Sequence, residues 1–187
     1  MRDLFQIQDE LVARIVSALQ LPLTARDHRL LRRDTPASAT AYELYLRANE
    51  LTRDRNQVRV VRDLYRQCLE LDPGYAPAWR NLPVALHQAG RTDEALAAAR
   101  EAVSRFPRDV EARVTLATIL RGLGSREEAL ATLAPVRGDA RAALRTALLL
   151  AELGRRQDAL EAVRSARPLS PEPGFQAQLD GLEARLR

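Results

Sequence analysis

The feature that most constrains this chain is an internal repeat with a period of about 34 residues. Gly90 and Gly124 are separated by one such period, and Gly154 follows after a slightly shorter interval. Pro73 and Pro107 are also one full period apart, so separate landmarks share one register. A fixed period of this size is typical of arrays in which each repeat is one small unit that buries its apolar face against its neighbours.

Each repeat reads as two helices joined by a glycine-centred turn. In the second repeat, Trp79, Leu82 and Leu86 have the spacing of one face of a first helix. We expect Gly90 to end that helix with a positive φ and Thr92 to cap the next helix with its hydroxyl. A proline closes the repeat, because proline lacks an N–H and disfavours helical geometry in the residue before it.

The composition agrees with helices and excludes several functions. Hydrophobic residues make up 46% of the chain but aromatic residues only 4%, which favours closely packed helices over a sheet. The 29 basic residues, all arginine, are interspersed with 25 acidic ones. Because no block of like charge emerges, we expect no nucleic-acid partner. The single cysteine excludes an internal disulfide, and two histidines offer no metal-ligand cluster.

The sequence also lacks the signatures of membrane insertion and of catalysis. The start of the chain has no apolar signal region, and the longest purely apolar runs, such as residues 147–151, are far too short to span a bilayer. We therefore expect a cytoplasmic location. No phosphate loop, nucleophile elbow or zinc signature occurs, so we expect no enzyme activity, no catalytic residue, no metal and no cofactor.

The repeat resembles the tetratricopeptide repeat (TPR), in which a pattern of Trp, Leu-Gly, Tyr, Ala, Phe, Ala and Pro recurs with the same period. The second unit matches with Trp79, Leu82-Pro83, Leu86, Ala95, Ala99, Ala102 and Pro107, and the first with Tyr45, Ala48-Asn49, Thr52, Val61, Tyr65, Cys68 and Pro73. The third unit matches with Arg113, Leu116-Ala117, Leu120, Ala129, Leu133 and Val136, and the fourth with Ala143, Thr146-Ala147, Leu150, Ala159, Val163, Ala166 and Pro171.

This resemblance implies an all-α, right-handed α-solenoid of about four helix-turn-helix units. The expected organisation is an amphipathic helix and linker over residues 1–34, four units over residues 41–171 (41–74, 75–108, 109–139 and 140–171), and a capping helix over residues 174–187. Two departures from the TPR pattern stand out. Pro83 lies inside a first helix and should bend it, and the third unit is four residues short, so its second helix should end early near Pro135.

The N-terminal segment resembles a junction in bacterial signalling proteins. The stretch DLFQIQDELVARIVSAL followed by TAYELYLRANEL is similar to the point where a TolB amino-terminal-like module runs into TPR units, often behind an adenylate cyclase, a kinase or a winged-helix DNA-binding domain. The resemblance implies a sensory or autoregulatory segment of such a protein. The first helix would then be free to dock on the first repeat or on a second copy of the chain. A further alternative is self-assembly, in which the apolar stripe of residues 4–19 forms a homodimer.

In TPR proteins the outward positions of the first helices meet the ligand. The register assigns this role to Glu50 in the first unit, to Arg80, Asn81, Val84, His87 and Gln88 in the second, to Val114, Thr115, Thr118 and Arg121 in the third, and to Arg141, Leu144, Arg145 and Leu148 in the fourth. These residues would line a mildly cationic concave groove with apolar positions. The resemblance therefore implies a non-enzymatic scaffold that binds an acidic peptide or protein segment, whereas the alternative is an ordinary solvated surface.

Two sharper interpretations are disfavoured. Some TPR proteins clamp the C-terminal carboxylate of chaperones with lysine, asparagine and arginine, but only Asn81 fits that scheme, because Leu46, Glu50, Glu111 and Thr115 occupy the other positions. Cys68 and His87 could suggest a thiol and a base. Cys68, however, occupies a position that holds small packing residues in the other units, and His87 lies beside a turn, so we expect a buried packing residue and a surface contact.

Overall fold

The computed structural model describes residue 36 and residues 38–187, and within this part the chain forms nine α-helices and no strand. The helix predicted for residues 1–34 lies outside the described residues. The chain divides after Ala85 into two compact units, which we call the first unit and the second unit, whereas the four helix-turn-helix units are called repeats. The first contains α1 (Ala39–Leu51), α2 (Val58–Leu71) and most of α3 (Ala76–Gln88). The second contains α4 (Thr92–Arg105), α5 (Val110–Gly122), α6 (Arg126–Leu133), α7 (Ala140–Glu152), α8 (Arg156–Ala166) and α9 (Pro173–Leu186).

In the first unit, α1 and α2 pack together as a helical hairpin. Small residues on the facing sides, such as Ala41 and Cys68, are completely buried, which allows the two helices to approach closely. The ring of Tyr45 lies 6.2 Å from the ring of Tyr65 and 5.1 Å from that of Tyr75, with an edge-on arrangement in the second pair. These contacts form an aromatic cluster in the first unit.

In the second unit, α5 pairs with α6 and α7 pairs with α8, while α4 packs on α5 and α6 packs on α7. The last helix, α9, packs on α8 and α7. Its predicted inward residues, Phe175, Leu179, Leu182 and Leu186, are all buried. They form one cluster with α7 and α8 residues such as Val163, so α9 covers apolar surface that those two helices would otherwise expose.

Three glycines end the helices that precede α4, α6 and α8, and each has a positive φ: 75° at Gly90, 83° at Gly124 and 73° at Gly154. The following amide N–H donates to a carbonyl five residues back, as in Arg91 to Leu86 at 2.9 Å, and the glycine N–H donates to the carbonyl three residues back. This is the Schellman motif. The positive φ predicted for Gly90 is thereby confirmed and recurs in two further turns.

The prediction that Thr92 caps α4 was wrong. Arg91 takes the N-cap position without a side-chain cap bond, and Thr92 is the first helical residue. The reason is the tightness of the turn: the N–H of Arg91 closes the preceding helix by bonding to Leu86, while its carbonyl accepts from the N–H of Ala95. One residue thus ends one helix and begins the next, and α6 and α8 likewise begin without a side-chain cap bond.

Three other helices begin with a side-chain cap. Asp109 accepts from the N–H of Ala112 at the start of α5 (3.0 Å), and Asp139 accepts from Arg141 at the start of α7 (2.9 Å). Ser38 caps α1 in the same way. Carboxylates at these positions also interact favourably with the positive end of the helix dipole.

Trp79 and Arg113 occupy equivalent positions in consecutive repeats and make the same bond. The indole Nε1–H of Trp79 donates to the carbonyl of Pro73 (3.0 Å). The guanidinium Nε–H of Arg113 donates to the carbonyl of Pro107 (2.5 Å), and its Nη1 donates to the carbonyl of Thr132 on α6 (2.7 Å). Each side chain therefore ties its helix to the proline six residues earlier.

The two predicted departures from the pattern lie in α3 and α6. Pro83 is buried within α3, which continues to Gln88. The early end of the second helix of the third repeat is confirmed. Helix α6 stops at Leu133, two residues before Pro135, and passes into a short 3₁₀ turn over Ala134–Val136. The missing helical turn is replaced by this connection, and Asp139 then starts α7.

Candidate functional site

A shallow hollow opens on the second unit between α5 and α7. It is lined by Ala117, Thr118 and Arg121 from α5 and by Arg145, Leu148 and Leu149 from α7. Its enclosed part measures about 10 Å³, which is roughly the volume that one water molecule requires. The hollow therefore suits contact with side chains of a larger ligand and is too small to enclose a small molecule.

Helical spacing places these side chains together. Thr118 and Arg121 stand three residues apart on α5, as do Arg145 and Leu148 on α7, so each pair shares one face of its helix. The hydroxyl of Thr118 donates to the carbonyl of Val114 (2.8 Å). Leu148 is half-buried and packs on the cluster under α9, so its position is fixed by the core.

The arginines at the hollow differ in their pairing. Arg121 Nη1 donates to Oε1 of Glu152 (2.7 Å), and Arg126 Nε donates to Oε2 of the same carboxylate (3.2 Å). Partial burial raises the pKa of Glu152, but the hydrogen bonds from the two guanidinium groups outweigh it and lower the pKa below its ordinary value. Arg145, in contrast, is exposed and forms no hydrogen bond or ion pair with any residue that the structure describes.

The other predicted residues of the second unit lie outside the hollow. Arg141 forms ion pairs with Glu111 and with Asp139, the latter at 3.5 Å. Leu144 is half-buried and packs on the same cluster as Leu148. Val114 and Thr115 are half-buried on α5, and Gln88 is exposed at the end of α3. His87 is half-buried, and its Nδ1 has no hydrogen-bond partner among the described residues.

In the first unit, Asn81 belongs to a polar network. Its Nδ2 donates to Oδ1 of Asn49 (3.0 Å) and to the hydroxyl of Tyr45 (3.2 Å), while the hydroxyl of Tyr65 donates to the same Asn49 oxygen (2.5 Å). Burial raises the pKa of Tyr65, so its hydroxyl stays protonated as a donor.

The remaining predicted residues of the first unit lie outside this network. Glu50 on α1 and Val84 on α3 are exposed, and Arg80 is half-buried.

Sequence reasoning missed Asn49, which joins Asn81 to the tyrosines, and Glu152, which holds Arg121. Asn49 carried a signal, because a polar residue occupies a helix-packing position of the first unit and needs a partner there. Glu152 carried none in the repeat pattern. Its pairing depends on how the end of α7 lies beside the end of α5 and the start of α6.

Cys68 is a packing residue, as predicted. Its side chain is fully buried, and burial raises the pKa of the thiol to about 11, so it stays protonated at neutral pH and is a poor nucleophile. Across the described residues, His, Cys, Asp and Glu side chains form no group of three that could hold a metal ion. No described helix combines the length and apolar character needed to cross a membrane.

Known proteins share both the repeat and the fold of this chain. Residues 86–153 match the tetratricopeptide-repeat family. The structure resembles a thermophilic TPR protein of Thermus thermophilus, with a TM-score of 0.60 and 21% identity, covering 78% of this chain and 82% of that one. It also resembles YrrB, a TPR protein described as having an unusual peptide-binding site, with a TM-score of 0.60 and 19% identity over 96% of this chain and 98% of that one.

A similar sequence belongs to a much longer protein. A Rhizobium meliloti (strain 1021) protein that is named as a putative adenylate cyclase is 28% identical over 141 residues, which is 69% of this chain and 24% of that protein. The chain thus spans about a quarter of the length of this relative. The shared fold confirms the predicted all-α, TPR-type fold class, and residues 86–153 carry the match to the repeat family.

Proposed function

We propose that the chain is a non-enzymatic interaction module that binds an acidic segment of a partner protein at the hollow between α5 and α7. The observation that carries the proposal is the contrast between Arg145 and its surroundings. Among the described residues, Arg145 is an exposed cation without an ion-pair partner, next to the apolar wall formed by Leu148 and Leu149. TPR proteins generally act as interaction scaffolds, which gives this surface its context.

The chemistry of binding follows from these neighbours. A ligand carboxylate would accept hydrogen bonds from the guanidinium of Arg145, and such charge-assisted bonds are stronger than neutral ones. A neighbouring apolar side chain of the ligand would cover the half-buried Leu148 and remove its remaining surface from water. The proposed ligand therefore pairs one acidic residue with one apolar residue. Val114, Arg141 and Leu144 are proposed as further contacts along the same face.

The test compares Arg145→Gln with a matched control, Arg164→Gln, which removes the same charge from an exposed position on α8 of the same unit. The probe is a fluorescein-labelled peptide of a dozen or so residues with a central Leu-Asp pair between glycines and serines. Fluorescence anisotropy should show about a two- to fivefold loss of affinity for Arg145→Gln, the range of an exposed ion pair, and no loss for Arg164→Gln.

Salt provides a second readout in the same experiment. Screening weakens interactions between exposed charges, so the wild-type affinity should fall as salt rises and the Arg145→Gln affinity should fall less. Absence of peptide binding by the wild type, or equal losses in the two variants, would contradict binding at this hollow.

A second candidate function is supported by the Rhizobium relative, which is named as a putative adenylate cyclase and is about four times as long as the matching segment. In this reading the chain is the regulatory TPR segment of a cyclase or a related effector, and its ligand-binding face acts in cis. Sequencing the reading frame around the coding region in the source genome tests it. An effector domain in the same frame favours this function, and a stop codon directly before Met1 argues against it.

A further inference from the structure

Glu152 is bound by arginines from two other helices, and one of them, Arg121, lines the hollow. As the last residue of α7 it accepts from Arg121, in the last turn of α5, and from Arg126, the first residue of α6. The two bonds use different carboxylate oxygens, at 2.7 Å and 3.2 Å. Because both oxygens are engaged, the carboxylate has a defined orientation and keeps Arg121 directed towards it.

The charges around the hollow are consequently not equivalent. Arg121 and Arg145 both line it, but a ligand that bonds to Arg121 must compete with a carboxylate that is already in place. It must also approach the negative charge of Glu152 itself. Arg145 imposes no such competition, because none of the described residues forms an ion pair with it.

We infer that Glu152 determines ligand preference at this site: by holding Arg121 it leaves Arg145 as the available cation, so a second acidic residue next to the first adds little to the affinity of a segment for the hollow. The inference rests on the proposed function of the hollow. It names Glu152 as a specificity-determining residue that acts through Arg121 without needing to touch the ligand.

The physical basis is competition between two carboxylates for one guanidinium. A second ligand carboxylate gains little from an arginine that already donates to Glu152, and like charges close together repel each other. The lowered pKa of Glu152 means that this residue is ionised throughout the neutral range. Replacing it with glutamine keeps the size and removes the charge, so Arg121 becomes available to a second ligand carboxylate.

The test measures how much a second acid improves binding. Two fluorescein-labelled peptides of a dozen or so residues, identical except for a central Leu-Asp-Ser or Leu-Asp-Asp, are titrated by anisotropy at low salt against full-length protein. We expect the wild type to bind the two peptides with closely similar affinities. Glu152→Gln should bind the two-acid peptide about two- to fivefold more tightly than the one-acid peptide, the range expected for one exposed ion pair.

The matched control is Glu128→Gln, since Glu128 also pairs with an arginine, Arg100 (2.8 Å), at an exposed position of the same unit that does not line the hollow. It should leave the wild-type ratio unchanged. Adding Arg121→Gln to Glu152→Gln should return the ratio to the wild-type value, because the freed arginine is then removed. Such a double-mutant cycle isolates the coupling of the two residues.

The outcomes separate this inference from the proposed function. If the wild type binds the one-acid peptide but Glu152→Gln and Glu128→Gln change the ratio equally, the role of Glu152 is overturned and the binding site stands. The role is also overturned if the preference of Glu152→Gln for the two-acid peptide remains after Arg121→Gln is added. If the wild type binds neither peptide, the proposed function fails, and this inference with it. Circular dichroism of each variant verifies that the helices are retained.

Discussion

At the residue scale, Trp79 and Arg113 show how two different side chains fill the same position in consecutive repeats. An indole and a guanidinium share little chemistry except a planar group with an N–H donor, yet both donate to the carbonyl of the proline six residues earlier. Arg113 adds a bond to the carbonyl of Thr132. In these two repeats the position holds a long side chain that satisfies a backbone carbonyl between helices, and aromatic character is only one way to do so.

This equivalence makes a prediction for Arg113. In Arg113→Met the carbonyls of Pro107 and Thr132 both lose their donor, and we expect the free energy of unfolding to fall by about 1–3 kcal/mol. Arg113→Trp keeps the geometry for the bond to Pro107 and should lose less. Denaturant unfolding gives both values. Arg108→Met, at an exposed neighbour, is the control and should stay near wild type. Equal losses in the Met and Trp variants would argue against a shared donor role.

At the element scale, six of the nine described helices begin in one of two distinct ways. Side chains cap α1, α5 and α7, whereas α4, α6 and α8 start directly from a Schellman turn. The glycines and prolines that end helices could be predicted, because their backbone limits act locally. The cap of α4 could not be predicted from the hydroxyl of Thr92. The order of bonds around Arg91 is set by the tight turn, and residue preference alone does not reveal it.

Two neighbouring glycines test the turn without side-chain packing. Gly124 has a φ of 83°, Gly122 is the last residue of α5, and an added Cβ would meet nothing within 4 Å at either position. Gly124→Ala should therefore destabilise the protein by about 1–2 kcal/mol through backbone strain alone. Gly122→Ala should stabilise it by up to about 1 kcal/mol, since alanine is the better helix former. Urea midpoints of the two variants should move in opposite directions. A shift in the same direction would refute the assignment of Gly124 to the turn and Gly122 to the helix.

At the scale of the whole molecule, the repeat register was the strongest part of the sequence reasoning. Four of the residues that the register predicted, Thr118, Arg121, Arg145 and Leu148, line one hollow. The register overestimated the available positive charge, because Arg121 is held by Glu152 and Arg141 by Glu111. These pairs join residues on different helices about one repeat apart, and whether they form depends on how the helices are rotated and packed.

The last helix closes the core of the second unit, and its contribution can be measured at Leu179. This side chain is 0% exposed and lies among α7 and α8 residues. Leu179→Ala should lower the free energy of unfolding by about 2–5 kcal/mol, the cost of a buried cavity. Leu169→Ala, at a side chain that is 37% exposed, should change it by less than about 0.5 kcal/mol. Similar values for the two variants would mean that α9 does not cover the core.

The uneven placement of aromatic residues makes the two units spectroscopically distinct. The tryptophan and all four tyrosines lie at or before Trp79, and hence in the first unit, while the second unit contains only Phe106 and Phe175. Intrinsic fluorescence and near-ultraviolet dichroism of the unmodified protein therefore monitor the first unit, whereas far-ultraviolet dichroism monitors the helices of both. Coincident unfolding curves from these probes would indicate one cooperative transition, and separated curves would resolve the stability of each unit without any label.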